Sequence, residues 1–349
     1  IRQRLLKIRA KKVILATGSL ERPLIFDNND RPGIMLSSAV KKYSEFYGVA
    51  CGSKNVFFTN NDSAYESALS LHNKGINIEA IIDIRDQSES KIVKKAIEAG
   101  KHVFSEGPMG PTVEGANLIW NTVQKSKLKY HSQCQDRFTR GVNIARETVN
   151  KALGSIISAR IEMHGFRDNS YYEAGGGSGT GWHGSFATEG GGCVYHHGRY
   201  QIEPFLYIID SPIKEVFAYS KARFRNIEVD NITDALLLFE NGAIGTVHAS
   251  LLDRKLKDHP NRGRIEVQGE HGGLLYLGGI MEQGNTGADV SISPNSTPES
   301  IKKFEDISNQ FSHIPEFVAE SYQSRVFLES IIENSKEFTC SFLLLIIFP

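Results

Sequence analysis

A chain of 349 residues is long enough for two domains, and its 40% hydrophobic content is ample for buried cores. Lysine plus arginine and aspartate plus glutamate stand at 40 each, so no global field favours nucleic acid or an acidic membrane as a partner. Four cysteines (Cys51, Cys134, Cys193, Cys340) show neither a CxxC pair nor metal-ligand spacing, and fit a reducing, cytoplasmic setting better than a disulfide framework.

In chain order, Ile1-Arg-Gln-Arg lacks an apolar h-region, so a secretory signal is not expected. Residues 11–18 form a short apolar run stopped by glycine, which predicts a buried strand. Residues 54–60 predict a second strand, and Ser63-Ala-Tyr-Glu66 has the form of a capping box opening a helix that Lys74-Gly75 stops. Residues 79–84 predict a third strand. Strand, helix, strand with short connections implies a parallel β-α-β unit.

A helix at 91–99, a strand at 102–104 and a helix capped by Thr112 follow, the last with Ala116, Ile119, Trp120 and Val123 on one face. A strand over 129–133 and a helix over 140–153, ended by Gly154, complete this part. Beyond it strands dominate: 155–165, 213–224, 233–240, 243–251 and 262–268. The fold class is therefore α/β followed by α+β: a partial or hybrid Rossmann-like parallel sheet, then a domain with one large, mostly antiparallel sheet. The boundary falls near residue 137. The tail 341–349 is apolar but far short of the roughly 20 residues of a membrane-spanning helix.

A dinucleotide loop needs glycines where a strand turns into a helix, so that pyrophosphate can meet the helix N-terminus. Asn60-Asn61-Asp62-Ser63 has the right place but no glycine, and Asp62 sets a negative charge where the phosphate would go. A formal GxGxxG, Gly179–Gly184, follows no apolar strand and opens no amphipathic helix, which favours an active-site loop over a phosphate cradle.

The segment from Glu189 to Pro204, EGGGCVYHHGRYQIEP, is the richest in chemistry. Its glycines permit close backbone approach, and a helical continuation would place His196 and Tyr200 one turn apart on one face, with His197 and Glu203 on the same rim. The alternative is a glycine turn leading a helix whose histidines are polar cover. His183, His196 and His197 have no fixed ligand spacing, so no metal is expected.

Two resemblances run through the chain. The stretch Glu98–Pro108, EAGKHVFSEGP, resembles the AGKHVxxEKP segment of the glucose–fructose oxidoreductase/inositol dehydrogenase/MocA (Gfo/Idh/MocA) family of NAD(P)-dependent sugar and polyol dehydrogenases. The resemblance extends over about 91–338. It implies that Glu106, Gly107 and Pro108 lie by the cofactor, with Gly107 in place of the family's lysine, and that Arg137 is a cofactor-side arginine. The family's GGGxLxDxGxHxxD pattern falls on His196, Tyr200 and Glu203. It implies Tyr200 as the group moving the substrate hydroxyl proton, with His196 or Arg199 as the neighbouring cation, and His183, His197 and Glu203 on the substrate side.

Residues 1–86 instead resemble the α subunit of heterotetrameric sarcosine oxidase, through KKVILATGSLERP, NNDRPGIMLSSAV and VFFTNNDSAYESAL. That likeness implies that Ala16, Thr17 and Gly18 would lie against a flavin nucleotide. The change between families falls within residues 86–91. The parts expected are thus 1–88, flavoprotein-like; 89–136, the end of a Rossmann NAD(P)-binding domain; 137–340, a substrate and oligomerisation domain; and 341–349, an apolar tail. Three functions follow. One is an NAD- or NADP-linked oxidoreductase of sugars or polyols, impaired by the missing glycine loop and lysine. The second is an FAD-linked amine oxidase fragment, and the third a non-catalytic sugar-binding or oligomerisation protein. The expected partners are a sugar or polyol and further copies of the chain through the C-terminal sheet, with no nucleic acid and no membrane.

Overall fold

The computed structural model describes residues 21–26, 28–85, 90–105, 109, 112–173, 183–254, 263–278, 288–314, 327 and 329–331. The strand expected at 11–18, most of the change-over at 86–91 and the tail 341–349 lie outside these.

Helix α1 (Ser37–Tyr47) ends at Gly48, whose φ of 64° is the left-handed conformation a helix stop uses. Then β1 (Asn55–Thr59), α2 (Asp62–His72), β2 (Ile78–Asp83), α3 (Ser90–Glu98), β3 (His102–Ser105), α4 (Val113–Gln124) and β4 (Tyr130–Ser132) alternate. The four strands are all parallel, in the order β1-β2-β3-β4. Each strand lies beside its predecessor because a β-α-β crossover returns the chain to the neighbouring position. Thr112 caps α4 as expected, accepting from the Gly115 N–H at 3.1 Å. At α2 the cap is Asn61 and not Ser63: the Asn61 side chain accepts from the Ser63 N–H, so the helix opens at Asp62. Asparagine two residues upstream reaches that N–H from an extended backbone, which a Ser63 cap would have left unmet.

The change of resemblance leaves no seam in the packing. Tyr65, Ala68 and Leu71 of α2 share one core with Val93, Ala96 and Ile97 of α3, and β2 pairs directly with β3. Both pieces are parallel β/α units, so apolar faces of the same period meet.

A 3-10 turn (Gln135–Phe138) leads into α5 (Arg140–Lys151) and the second domain. There β5 (Ile156–His164), the one-turn helices α6 (Asn169–Tyr172) and α7 (Phe186–Glu189), α8 (Arg199–Ile209), β6 (Ile213–Lys221), β7 (Ile232–Phe239), β8 (Ile244–Ser250), β9 (Arg264–Gly269), β10 (Gly272–Leu277), β11 (Asp289–Ile292) and α9 (Pro298–Gln310) follow. The seven strands form one sheet, ordered β11-β10-β9-β5-β8-β7-β6, and only the β5–β8 pairing is parallel. One face, with Ala159, Ile161, Val247 and Leu237, packs against α5 and α8 through Val142, Val149, Phe205 and Ile208. Strand β6 ends at Lys221, three residues short of the predicted end, and Phe224 takes a φ of 56°. Strands β10 and β11 and helix α9 are additional to the elements expected from the sequence. Among the described residues, no helix is long and apolar enough to cross a membrane.

Candidate active site

The glycine run and the residues after it do not continue as one α-helix. Cys193–His197 is a single π-turn, closed by Gly198 N–H donating to Cys193 O at 2.6 Å, and α8 begins at Arg199. Asp230 holds the start of this turn: its carboxylate accepts from the Gly192 N–H at 3.0 Å and its carbonyl from the Cys193 N–H at 2.9 Å. A Cβ at Gly192 would lie 1.8 Å from that carbonyl oxygen, so no other residue passes here without moving the backbone. The wider turn rotates His196 away from the helical position expected four residues before Tyr200.

His196 turns instead to Glu189, a carboxylate only 2% exposed. Its Nδ1–H donates to Glu189 Oε1 at 2.9 Å, and His183 Nδ1 stands 3.5 Å from the same oxygen. The other oxygen accepts the Gly184 N–H at 2.6 Å. Because a carboxylate only accepts, the proton sits on Nδ1 of His196 and Nε2 becomes its basic nitrogen. The His183 ring stacks on Tyr171 at 4.2 Å and on His196 at 5.2 Å, while the rings of His196 and His197 stand 4.4 Å apart.

The Tyr171 hydroxyl lies 3.0 Å from His197 Nε2. Burial, reinforced by Glu189, pushes the Tyr171 phenol above its ordinary range, and burial beside His196 and Arg167 holds His197 well below its ordinary value. At neutral pH Tyr171 is therefore the donor and His197 a neutral acceptor. Next door, burial and Glu189 push Tyr172 up to about 12.

One turn on, Arg199 Nη2 donates to the Tyr200 phenol oxygen, and its guanidinium carbon lies 4.5 Å from that ring's centre. Arg137 forms an ion pair with Glu203, tying the turn after β4 to α8, and stacks on Tyr207 at 4.5 Å. Tyr195, in the middle of the π-turn, packs on the core of the first domain, so the site lies where the two domains meet. The structure thus gathers His183, His196 and His197 around Glu189 and Tyr171, sets Tyr200 with Arg199, and pairs Arg137 with Glu203. Ala16, Thr17, Gly18, Glu106, Gly107 and Pro108 lie outside the described residues.

Glu189 and Tyr171 were not among the residues singled out from the sequence. Glu189 stands seven residues before His196, a spacing no regular helix brings together, and Tyr171 comes from the far side of the glycine-rich loop. Only the run Tyr171-Tyr172-Glu173 immediately before those glycines could have hinted at it.

At the first sheet, the N-terminus of α2 does not fit a pyrophosphate. Asn61 already caps it, and Asp62 stands in its first turn. Arg85 Nη2 is shared between Asp62 Oδ1 and the fully buried Asp83 Oδ2, each at 2.6 Å. Among the described residues no strand lies outside β1, so the strand order shows no reversal, the place where doubly wound sheets form their nucleotide crevice.

A parallel β/α sheet followed by a large mixed sheet, with a histidine-rich site at their junction, is the architecture of a two-domain oxidoreductase with an NAD-binding Rossmann domain. Residues 43–133 match the oxidoreductase family with an NAD-binding Rossmann fold, and residues 143–275 match the GFO/IDH/MocA C-terminal domain. Through these two domains the chain belongs to the Gfo/Idh/MocA family.

It is 24% identical over 222 residues to levoglucosan dehydrogenase of Pseudarthrobacter phenanthrenivorans, covering 56% of this chain and 55% of that one. It is also 47% identical over 104 residues to sarcosine oxidase subunit alpha of Corynebacterium sp. (strain P-1), 30% of this chain and 10% of that subunit. The chain therefore spans about half of the former relative and a tenth of the latter. Among solved structures, the WlbA dehydrogenase of Bordetella pertussis, in complex with NADH and UDP-GlcNAcA, shares the fold. Its TM-score is 0.58 at 17% identity, covering 81% of each chain. A levoglucosan dehydrogenase in complex with NADH has a TM-score of 0.51 at 18% identity, covering 87% of this chain and 93% of that one.

Proposed function

We propose that this chain is an impaired sugar or polyol oxidoreductase, in which Tyr200 exchanges the substrate hydroxyl proton while Arg199 and His196 assist. The observation that carries the reading is the Arg199 guanidinium seated on the Tyr200 phenol oxygen. A fixed cation there stabilises the negative charge that develops when the phenol gives up its proton. His196, oriented through Nδ1 by Glu189, presents Nε2 as a second proton carrier, the carboxylate–imidazole arrangement that general base catalysis uses. His183, His197 and Glu203 would line the substrate side.

A nicotinamide dinucleotide, NAD or NADP, supplies the hydride acceptor in such chemistry. The closed terminus of α2 and the glycine at position 107 both weigh against tight binding here. Losing one preorganised cation of that kind costs on the order of a hundredfold in rate. The test is NAD(P)H fluorescence titration and a sugar and polyol panel on the purified chain and on Gly107→Lys. Gly107→Lys should raise any sugar-dependent reduction, and an absence of cofactor binding in both forms would sink the reading.

A second reading rests on the match to sarcosine oxidase subunit alpha: residues 1–88 descend from a flavoprotein joined to a dehydrogenase fragment within 86–91. Flavin absorbance in the purified protein supports it, as does a genomic locus that breaks its reading frame across residues 80–95. The outer face of the second sheet exposes Phe217, Tyr219, Leu236 and Ile244, which suits self-association through that sheet. Light scattering of the purified chain measures it. Among the described residues, Cys51, Cys134 and Cys193 form no disulfide.

A further inference from the structure

We propose that the outer face of the second sheet carries a site for a divalent transition metal of the zinc type, ligated by His164, His248 and Asp253. This site is separate from the proposed oxidoreductase chemistry and does not depend on it. Strands β5 and β8 run parallel there, with Glu162 opposite His248 and His164 opposite Ser250. Side chains alternate across a strand, and Ile161, Met163, Val247 and Ala249 point into the core. Glu162, His164 and His248 therefore face outward together. Asp253 joins them from the turn after β8.

The donor atoms converge. His164 Nδ1 lies 2.7 Å and His248 Nε2 lies 3.2 Å from the same oxygen, Asp253 Oδ2. One ligand atom from each of the three residues falls within 4.8 Å of the others. Ligands about 2.1 Å from a tetrahedral zinc stand roughly 3.4 Å from one another, so small side-chain shifts open the space. The two imidazole planes are inclined by 40°, which lets their lone pairs aim at a common point. The other convergent group, His183, Glu189 and His196, is less suited. Its imidazoles are stacked within 17° of parallel, and Glu189 Oε2 is already taken by the Gly184 N–H.

Each ligand also has a partner behind it. Asp234 Oδ1 lies 2.8 Å from His248 Nδ1, Glu162 Oε2 lies 3.6 Å from His164 Nε2, and Ser250 Oγ donates to Asp253 Oδ1 at 2.9 Å. A carboxylate behind a ligating imidazole fixes its tautomer and raises its basicity, the arrangement found behind bound zinc. Three carboxylates thus surround two imidazoles. Two cations stand beside Glu162: Arg160, 3.9 Å away, and Arg264, opposite it on β9 and neutralised by its own ion pair with Glu266, while Arg254 lies over the Phe166 ring at 4.4 Å. With neutral imidazoles, the three carboxylates and Arg160 leave an excess of two negative charges, which a divalent ion offsets. Two nitrogens and one oxygen favour zinc over magnesium or calcium, and three protein ligands leave a fourth position for water.

The test uses the full chain, stripped with EDTA, dialysed against zinc near neutral pH and assayed for bound metal. One zinc per chain is expected, retained in His183→Ala and lost in the His164→Ala/His248→Ala pair. Asp234→Asn, which leaves all three ligands in place, should weaken binding by about 10- to 100-fold. If the double variant fails to fold by circular dichroism, Asp253→Asn replaces it. Cobalt in place of zinc should give the visible absorption of a four-coordinate ion. A chain that retains no zinc, or zinc that survives loss of these ligands, or zinc lost instead in His183→Ala, overturns the proposal.

Discussion

The strand ends of the first domain and the junction site of the second both crowd charged groups around helix starts, but they use them in opposite ways. At α2, two carboxylates share one guanidinium, and the helix terminus is filled by its own cap. Among the described residues, the one cation there is already taken and one negative charge is left over, so an incoming anion would meet both an occupied ion pair and repulsion. At the junction, one buried carboxylate serves two imidazoles and a backbone N–H, and so fixes how both rings are oriented. A charge cluster consumed in pairing is scaffold, and one that fixes a tautomer is a candidate for chemistry.

The largest expected effect strikes the centre of the second cluster. Glu189→Ala leaves two histidines and the Gly184 N–H without their acceptor, and should cost about 3–5 kcal/mol, read from urea unfolding. A loss under about 1 kcal/mol would mean that the carboxylate does not organise the site. Gly192→Ala drives a methyl into the Asp230 carbonyl and should cost about 3 kcal/mol by the same measurement, with the π-turn lost.

Tyr200→Phe should lower any sugar-dependent turnover by about 100-fold, with a smaller loss of stability, about 1 kcal/mol, from the acceptor taken from Arg199 Nη2. An equal fall in stability would return Tyr200 to the scaffold side of the comparison.

The pH dependence sharpens the contrast further. His197 is held below its ordinary value, chiefly by burial, so it stays neutral when folded while the unfolded chain gains a proton. Stability from this residue is therefore complete above about pH 6.5 and is lost as pH falls toward the folded-state value, by up to about 1.4 kcal/mol per pH unit. His248 works the other way: it is raised by Asp234 and Asp253 against the opposing effect of burial, and its contribution fades as pH rises past 6.5. Unfolding at pH 7 and pH 5 of the wild type and of His197→Asn isolates the first term, and the variant should lose less.

The smallest effect belongs to α2. Asp62→Asn removes a negative charge from a helix N-terminus and half the hold on Arg85, and should raise NADH affinity by a few-fold. No change would mean that the missing loop, rather than the ion pair, sets the limit.

Much of this fold was legible from local patterns. The strands at 54–60 and 79–84 and the Thr112 cap depend on period and capping, each written within a few residues, whereas α5 ends at Lys151, two residues before its expected end. The cap at Asn61 was missed because two polar residues, Asn61 and Ser63, could each serve, and only the backbone conformation chooses between them. The site was legible as a segment but not as a constellation. EGGGCVYHHGRY named the histidines, Arg199 and Tyr200, while a π-turn of five residues decided which way they point.

By itself, then, the sequence determined the class of the two domains, the absence of a glycine loop between β1 and α2, and the segment on which any chemistry must rest. The tertiary structure alone decided that Glu189 and Tyr171 join the histidines, that Arg137 and Glu203 pair across 66 positions of chain, and that His164, His248 and Asp253 meet on one sheet face. The physical reason is that capping and periodicity act over one or two helical turns. A buried charge must find its partner wherever packing brings one, at whatever distance along the chain.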